Sequence, residues 1–226
     1  MSVSQRGPLT IAVPAGRLYA ETVQTLERCG LDPTAWRGDE RRLLWSSPDG
    51  EWRFLVARPA DVTTYVEEGV ADVGVTGKDS LMDLDGDVYE LLDLGFGRCR
   101  LVLAAPVGFT LAGDRPVRVA TKYPRFALRR LAEMGLEARV IVLHGASELA
   151  AVSGLADAIV DATETGATLR NNGLVPRLEL ASSSARLICN RAAFQLRRDD
   201  VMALIRRIRE VSAGSGEKEG VTRLGR

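Results

Sequence analysis

Ala156-Asp157-Ala158-Ile159-Val160-Asp161-Ala162-Thr163-Glu164-Thr165-Gly166-Ala167-Thr168-Leu169 is the stretch on which the reading of this chain turns. Residues 156–160 form an apolar run that reads as a buried strand. A short helical turn follows, ending near Asn171, Asn172 and Gly173. An acidic residue, Asp161, therefore stands at the carboxyl end of a strand, and small, hydroxyl-bearing residues with one glycine follow it. In open α/β sheets, ligands bind at such strand ends. Backbone N–H groups of Thr165, Gly166, Ala167 and Thr168 can converge on a phosphate, Gly166 permits close approach and positive φ, and Asp161 can accept from ribose hydroxyls. The same residues also fit an ordinary strand–turn–helix joint, with Asp161 or Thr163 capping the helix.

Upstream, the alternation continues. Residues 117–120 read as a strand, and Thr121-Lys122-Tyr123 as its exit, with Pro124 suited to a first helical turn. The helix runs to Met134 and stops at Gly135. Residues 138–143 are a strand, and Ser147 is placed to cap a short helix that Gly154 ends. From 117 to 169 this is a parallel βαβα pattern.

The N-terminal part has the same character. Residues 9–13 are an apolar strand, Pro14-Ala15-Gly16-Arg17 a turn, and Tyr19, Val23 and Leu26 mark a helix that Gly30 stops. Arg17 lies near that helix start, where a cation is unfavourable unless an anion binds there too. Residues 43–45 and 52–56 read as strands around the turn Ser47-Pro48-Asp49-Gly50. Asp61 is placed to cap the helix after Arg58. Residues 70–75 form a strand whose exit, Thr76-Gly77-Lys78-Asp79, again sets glycine and a cation at a carboxyl end. Strands at 89–94, 100–105 and 185–189 and a final amphipathic helix from Asp199 or Asp200 complete the pattern. The Gly-, Lys- and Glu-rich residues 212–226 read as a flexible tail.

Composition narrows the function. The 226 residues are 46% hydrophobic and 27% charged, with thirty basic residues balancing thirty acidic ones. This balance gives no reason to expect nucleic acid or an anionic membrane as partner. Residues 1–8 are polar and show no signal-peptide core, and no stretch reaches transmembrane length, so a cytoplasmic protein is expected. Cys29, Cys99 and Cys189 form no CxxC pair and read as reduced, buried side chains. His144, the only histidine, excludes His-rich metal sites.

Seven segments in order resemble one family. They are Val13-Pro14-Ala15-Gly16-Arg17-Leu18; Arg58-Pro59-Ala60-Asp61 with Tyr65-Val66-Glu67; Ala71-Asp72-Val73-Gly74-Val75-Thr76-Gly77-Lys78-Asp79; Leu91-Leu92-Asp93-Leu94-Gly95-Phe96-Gly97 with Cys99-Arg100-Leu101; Val119-Ala120-Thr121-Lys122-Tyr123-Pro124; Gly154-Leu155-Ala156-Asp157-Ala158-Ile159-Val160-Asp161; and Thr165-Gly166-Ala167-Thr168-Leu169. Over residues 9–192 the chain resembles the short-form catalytic subunit of the ATP phosphoribosyltransferases, which open histidine biosynthesis. The resemblance implies a two-lobe α/β fold of the periplasmic-binding-protein type (type II), with the active site in the inter-lobe cleft. Lobe I would be residues 1–96 and 184–211, and lobe II residues 97–183, so that the chain crosses between them twice.

The implied reaction transfers a phosphoribosyl group from phosphoribosyl pyrophosphate to N1 of the adenine of ATP. Asp161 would hold the ribose hydroxyls of the donor, and Thr163, Glu164, Thr165, Gly166, Ala167 and Thr168 would cradle its 5-phosphate. Arg17 and Lys78 join Asp161 as candidate catalytic groups. Gly16, Arg17, Arg58, Thr76, Gly77, Lys78, Arg100 and Lys122 are candidates for ATP or pyrophosphate, and Arg58 with Asp61 could instead order the loop between lobes. Mg²⁺ would be held mainly by substrate phosphates, with no protein metal site. The family often has Lys where Ala15 stands, and Arg or Lys where Ala167 stands, so these two side-chain contacts are missing or supplied elsewhere. The implied partners are a second catalytic subunit, as a homodimer, and a histidyl-tRNA-synthetase-like regulatory subunit in a hetero-octamer.

Two other readings compete: a non-catalytic two-lobe module binding a small anion or nucleotide, and a phosphoribosyltransferase acting on another base. The first has no need of a ribose-plus-phosphate loop. The second lacks the hydrophobic-acidic-acidic run of the commoner phosphoribosyltransferase fold.

Overall fold

The computed structural model describes residues 7–31, 43–110 and 115–213. The chain divides into two compact units. Unit 1 takes the described residues of Met1–Gly77, Gly86–Phe96 and Ala185–Arg226; unit 2 takes Lys78–Asp85 and those of Gly97–Ser184. The chain thus passes between units at four points (77/78, 85/86, 96/97 and 184/185), where the sequence reading expected two. The extra excursion is residues 78–85, expected in lobe I but packed with unit 2.

In unit 1 the strands are β1 (Leu9–Pro14), β2 (Leu44–Ser46), β3 (Trp52–Ala57), β4 (Val73–Gly77), β5 (Val88–Asp93) and, by chain order, β11 (Ala185–Asn190). They form one sheet in the order β2-β3-β1-β4-β11-β5. β1 runs parallel to β3 and β4, while β11 is antiparallel to β4 and β5. Every residue of β1 and β4 is buried, which is why both are nearly continuous apolar runs: helices cover both faces. On one face Leu9, Ile11, Val13, Val73 and Val75 pack against Leu26 of α1 (Tyr19–Arg28) and Val201, Leu204, Ile205 and Ile208 of α8 (Arg198–Ala213). On the other, α2 (Pro59–Glu67) settles on Gly74. A Cβ there would lie 2.8 Å from both Val62 and Val66.

Unit 2 holds α3 (Lys78–Leu84), β6 (Cys99–Pro106), β7 (Val117–Thr121), α4 (Pro124–Glu133), β8 (Ala138–Val142), α5 (Ser147–Val152), β9 (Ala158–Thr163), α6 (Ala167–Asn171) and β10 (Leu174–Ser183). Its sheet has the order β10-β6-β9-β7-β8. β7 is parallel to β8 and β9, as the βαβα pattern predicts, and β6 is antiparallel to β9. Alternation along the strands builds two cores. Leu101, Leu103, Val119, Ala158 and Val160 face α4, and Val102, Ala104, Ala120 and Ile159 face α5 and α6. Asp161 and Thr163, two and four residues beyond Ile159, fall on the α5/α6 side.

Four elements depart from the sequence reading, the first being α3, whose residues Lys78 and Asp79 had the look of a strand exit. β10 escaped it because an edge strand carrying Pro176 and two register shifts has no clean period of two. The helix α7 (Arg191–Leu196) was also unread. α8 extends to Ala213, two residues into the expected tail; the remainder, 214–226, lies outside the described residues.

Candidate active site

Asp161 sits near the carboxyl end of β9 with 17% of its side chain accessible. Its Oδ2 accepts from Ser147 Oγ at 2.8 Å, and its Oδ1 from the N–H of Ala162 at 2.7 Å. Lys122 Nζ lies 3.7 Å from Oδ1. The carboxylate is thus oriented from two sides. Ser147 was expected to cap α5. It is instead the helix's first residue, and Ala146, with φ 27° and ψ 56°, holds the cap position. That non-glycine positive φ is strained backbone, and it immediately precedes the serine that reaches Asp161, a contact spanning fourteen residues of chain.

The loop after Asp161 closes on itself. Thr163 Oγ1 accepts from the N–H of Gly166 at 2.9 Å, and Thr165 Oγ1 from the N–H of Ala167 at 3.3 Å. Gly166 has φ 74° and caps α6, so glycine is required there on backbone grounds. Arg170 Nη1 donates to the Thr165 carbonyl at 2.9 Å. Two of the loop's amides, those of Gly166 and Ala167, are therefore held by threonine hydroxyls. Glu164, Thr165 and Thr168 are exposed. Arg100 stands opposite Thr163 across β6 and β9, where its guanidinium pairs with Glu179 at 3.3 Å.

Lys122 and Lys78 both belong to unit 2. Lys122 Nζ lies 5.1 Å from the centroid of the Tyr123 ring. The Tyr123 hydroxyl donates to Asp79 Oδ2 at 2.6 Å, and Ser183 Oγ donates to Asp79 Oδ1 at 2.7 Å. Burial, then the neighbouring Asp79 charge and hydrogen bond, push the Tyr123 hydroxyl far above its ordinary value, so it remains a protonated donor. Neither Asp79 nor Ser183 was singled out from sequence, being 104 residues apart. Their only local signal was Asp79 following a strand-exit lysine.

In unit 1, Gly16, Arg17 and Arg58 lie just past the carboxyl ends of the neighbouring parallel strands β1 and β3. The Ala15 N–H donates to the Ala57 carbonyl at 2.7 Å, which ties the two exits together. Gly16 has φ 75°, and Arg17 and Arg58 are exposed. Arg58 caps α2 from the extended region, with Pro59 as first residue, so Asp61 falls inside the first turn and does not cap. Thr76 is fully buried, and its hydroxyl donates to the Pro59 carbonyl at 3.0 Å. It supports the loop and presents no atom to a ligand. Gly77 is paired with Ala185 at the end of β4.

The three cysteines are buried and outside any disulfide, and burial pushes the Cys29 thiol up and the Cys189 thiol up to about 12, which disfavours a thiolate at those two. His144 is exposed. Among the described residues no helix is long and apolar enough to cross a membrane, and no three His, Cys, Asp or Glu side chains gather as a metal cage.

Two α/β units, each with acidic, basic or glycine-bearing loops at strand carboxyl ends, define the two-lobe class typified by periplasmic binding proteins. The fold overlays the aliphatic sulphonate binding protein SsuA of Escherichia coli with a TM-score of 0.59 at 14% identity, covering 95% of this chain and 76% of that one. The particular family follows from closer likenesses. Residues 58–210 match the family HisG: ATP phosphoribosyltransferase. ATP phosphoribosyltransferases of Symbiobacterium thermophilum and Sorangium cellulosum are 49% and 47% identical, over 90% and 92% of this chain and 95% and 98% of theirs. A chain of the ATP phosphoribosyl transferase (HisG:HisZ) complex from Thermotoga maritima superposes with a TM-score of 0.81 at 32% identity, covering 91% of this chain and 99% of that one. The chain belongs to the ATP phosphoribosyltransferase family, and is a transferase of histidine biosynthesis.

Proposed function

We infer that this chain joins ATP to phosphoribosyl pyrophosphate. Adenine N1 attacks the anomeric carbon, the bond from that carbon to the pyrophosphate oxygen breaks, and N1-(5-phosphoribosyl)-ATP and pyrophosphate leave. The observation that carries this reading is the Asp161 carboxylate, held by Ser147 and flanked by Lys122, directly before the loop 163–168.

The chemistry needs little from the protein beyond placement and charge. Adenine N1 has a lone pair and requires no strong base, and the anomeric centre gains positive character as pyrophosphate departs. Asp161, with lone pairs left over from Ser147 and Ala162, accepts from the ribose hydroxyls and places a negative charge beside that centre. Residues 163–168 take the 5-phosphate, the Gly166 and Ala167 amides exchanging their threonine acceptors for phosphate oxygens. Lys122 and Lys78 neutralise pyrophosphate or triphosphate. Arg17, Gly16, Arg58, Gly77 and Arg100 are assigned to the remaining phosphate contacts. The isolated Asp161 with its serine and lysine partners is no metal cage, so Mg²⁺ would arrive on substrate phosphates, where it offsets charge on the leaving group.

The assembly follows the family: a homodimer of catalytic chains within a hetero-octamer, with a regulatory subunit similar to histidyl-tRNA synthetase, in the cytoplasm. The assay is absorbance growth from phosphoribosyl-ATP, with ATP, phosphoribosyl pyrophosphate and Mg²⁺, in the presence and absence of that subunit. Product in either arm supports the reaction, and the arm in which it appears shows whether the partner regulates or activates. Ligand binding without product in both arms would replace this reading with a binding module.

A further inference from the structure

Lys78 and Lys122 come from distant parts of unit 2, at the first residue of α3 and just past β7. The residues that follow them, Asp79 and Tyr123, are hydrogen-bonded to each other at 2.6 Å. Both are buried, with 7% and 5% exposure, and so is Ser183 at 4%. We propose that Asp79, Tyr123 and Ser183 form a positioning clamp that sets Lys78 and Lys122 for the phosphates of a polyanionic substrate. The proposal rests on the phosphoribosyl-transfer reading and names what holds that site in register.

The clamp is tied at every end. Ser183 Oγ donates to Asp79 Oδ1 and accepts from the Asp79 N–H at 2.9 Å, and the Lys78 N–H donates to the Ser184 carbonyl at 2.9 Å. The start of α3 is thereby fixed to the end of β10. The Tyr123 N–H donates to Thr121 Oγ1 at 3.0 Å, and Thr121 Oγ1 donates to the Val160 carbonyl at 2.6 Å. Hydrogen bonds linked through the Asp79 carboxylate and the length of Tyr123 therefore connect the backbone beside Lys78 to the residue before Asp161. The Tyr123 ring adds a shelf under the Lys122 ammonium. A buried Asp–Tyr bond needed only for folding would not have to join the two residues that follow the two lysines, nor end beside the carboxylate.

The test uses the full chain with its regulatory subunit. Tyr123→Phe keeps the ring and its packing but removes the donor, leaving Asp79 Oδ2 without it. KM for the phosphate-bearing substrates should rise about tenfold, the scale of one lost hydrogen bond to a charged acceptor. Inhibition by pyrophosphate should weaken in parallel, while kcat changes less. Asp79→Asn keeps one amide oxygen to accept from Tyr123 but turns an amide nitrogen toward Ser183 Oγ, so it should raise KM less than Tyr123→Phe, and Asp79→Ala should follow Tyr123→Phe. Leu131→Val, in the α4 core, supplies a destabilised control that should leave KM and pyrophosphate inhibition unchanged. Wild-type KM and pyrophosphate inhibition in Tyr123→Phe would overturn the clamp, as would equal shifts in Leu131→Val. If Tyr123→Phe does not fold, Ser183→Ala carries the same expectation with a smaller shift. If wild type forms no phosphoribosyl-ATP, the reaction fails on its own. Calorimetry of Mg-pyrophosphate binding then decides the clamp separately, with weaker binding in Tyr123→Phe supporting it and equal or no binding refuting it.

Discussion

The two units hold their loops with different shares of packing and side-chain hydrogen bonding. In unit 1, α2 is pressed onto β4 through a glycine, with Val62 and Val66 fully buried and no room for one methyl group. Arg58, which caps that helix, is placed by this close packing together with one hydrogen bond, from Thr76 Oγ1 to the Pro59 carbonyl at 3.0 Å. In unit 2 the comparable work falls to buried hydrogen bonds: Ser147 to Asp161, Tyr123 and Ser183 to Asp79, and the Phe126 N–H to Asp83 at 2.9 Å. Packing fixes where a helix lies but leaves a surface arginine its rotamers. A satisfied polar network also fixes which way a carboxylate or ammonium faces. On the proposed reading, orientation-dependent chemistry would fall to unit 2 and less directional charge neutralisation to the exposed arginines of unit 1.

Four changes would break or sharpen this contrast. Asp161→Asn should lower kcat by ~10²–10³-fold, the cost of one polar contact to a developing charge (~2.7–4 kcal/mol), with melting close to wild type; unchanged turnover would remove Asp161 from the site. Gly74→Ala should lose ~1–3 kcal/mol in urea unfolding, since the added methyl meets Val62 and Val66. Full stability there would show that α2 is free to ride outward and that packing does not set unit 1. Lys122→Met should raise KM for a polyanionic substrate about tenfold, whereas Arg58→Met should change it only a few-fold. Equal effects would erase the distinction between an oriented and an unoriented cation.

The smallest effect is a pH signature. Hydrogen bonds from Arg115 and Arg118 hold the Asp157 carboxyl well below the usual carboxylate range. A lowered folded value contributes stability that is fully present above the unfolded value of ~3.9 and is lost as pH falls below it. Asp157→Asn should therefore melt lower than wild type at neutral pH, with the gap closing below about pH 4. A gap independent of pH would mean that packing, and not the ion pair, secures the start of β7.

What could be read from the sequence was whatever is local in the chain. The turn after β1, the alternation from β7 to β9 and the loop following Asp161 each lie within a few dozen residues and obey a period or a turn rule. What could not be read is carried by distant partners. Asp79 looked like part of a strand exit, and only the fold brings Ser183 and Tyr123 to it. Ser147 has the composition of a helix cap, and its contact with Asp161 depends on the strained turn at Ala146. Thr76 shared the pattern of its glycine and lysine neighbours, but it lies on the inward side of β4, where a hydroxyl must find a protein partner.

β11 lies between β4 and β5 in the unit 1 sheet, yet it is supplied by residues 185–190. During synthesis on the ribosome, β4 and β5 emerge about a hundred residues before the strand that joins them. β4, already paired with β1, waits with one open edge, and β5, whose sheet partner is β11, waits unpaired while nearly all of unit 2 is made. Unit 2 is complete in sequence once Ser184 has emerged, whereas unit 1 cannot close its sheet until residues 185–190 have been made. A nascent chain stalled before residue 185 would therefore display the exposed β4 edge that chaperones recognise and that other chains can pair with.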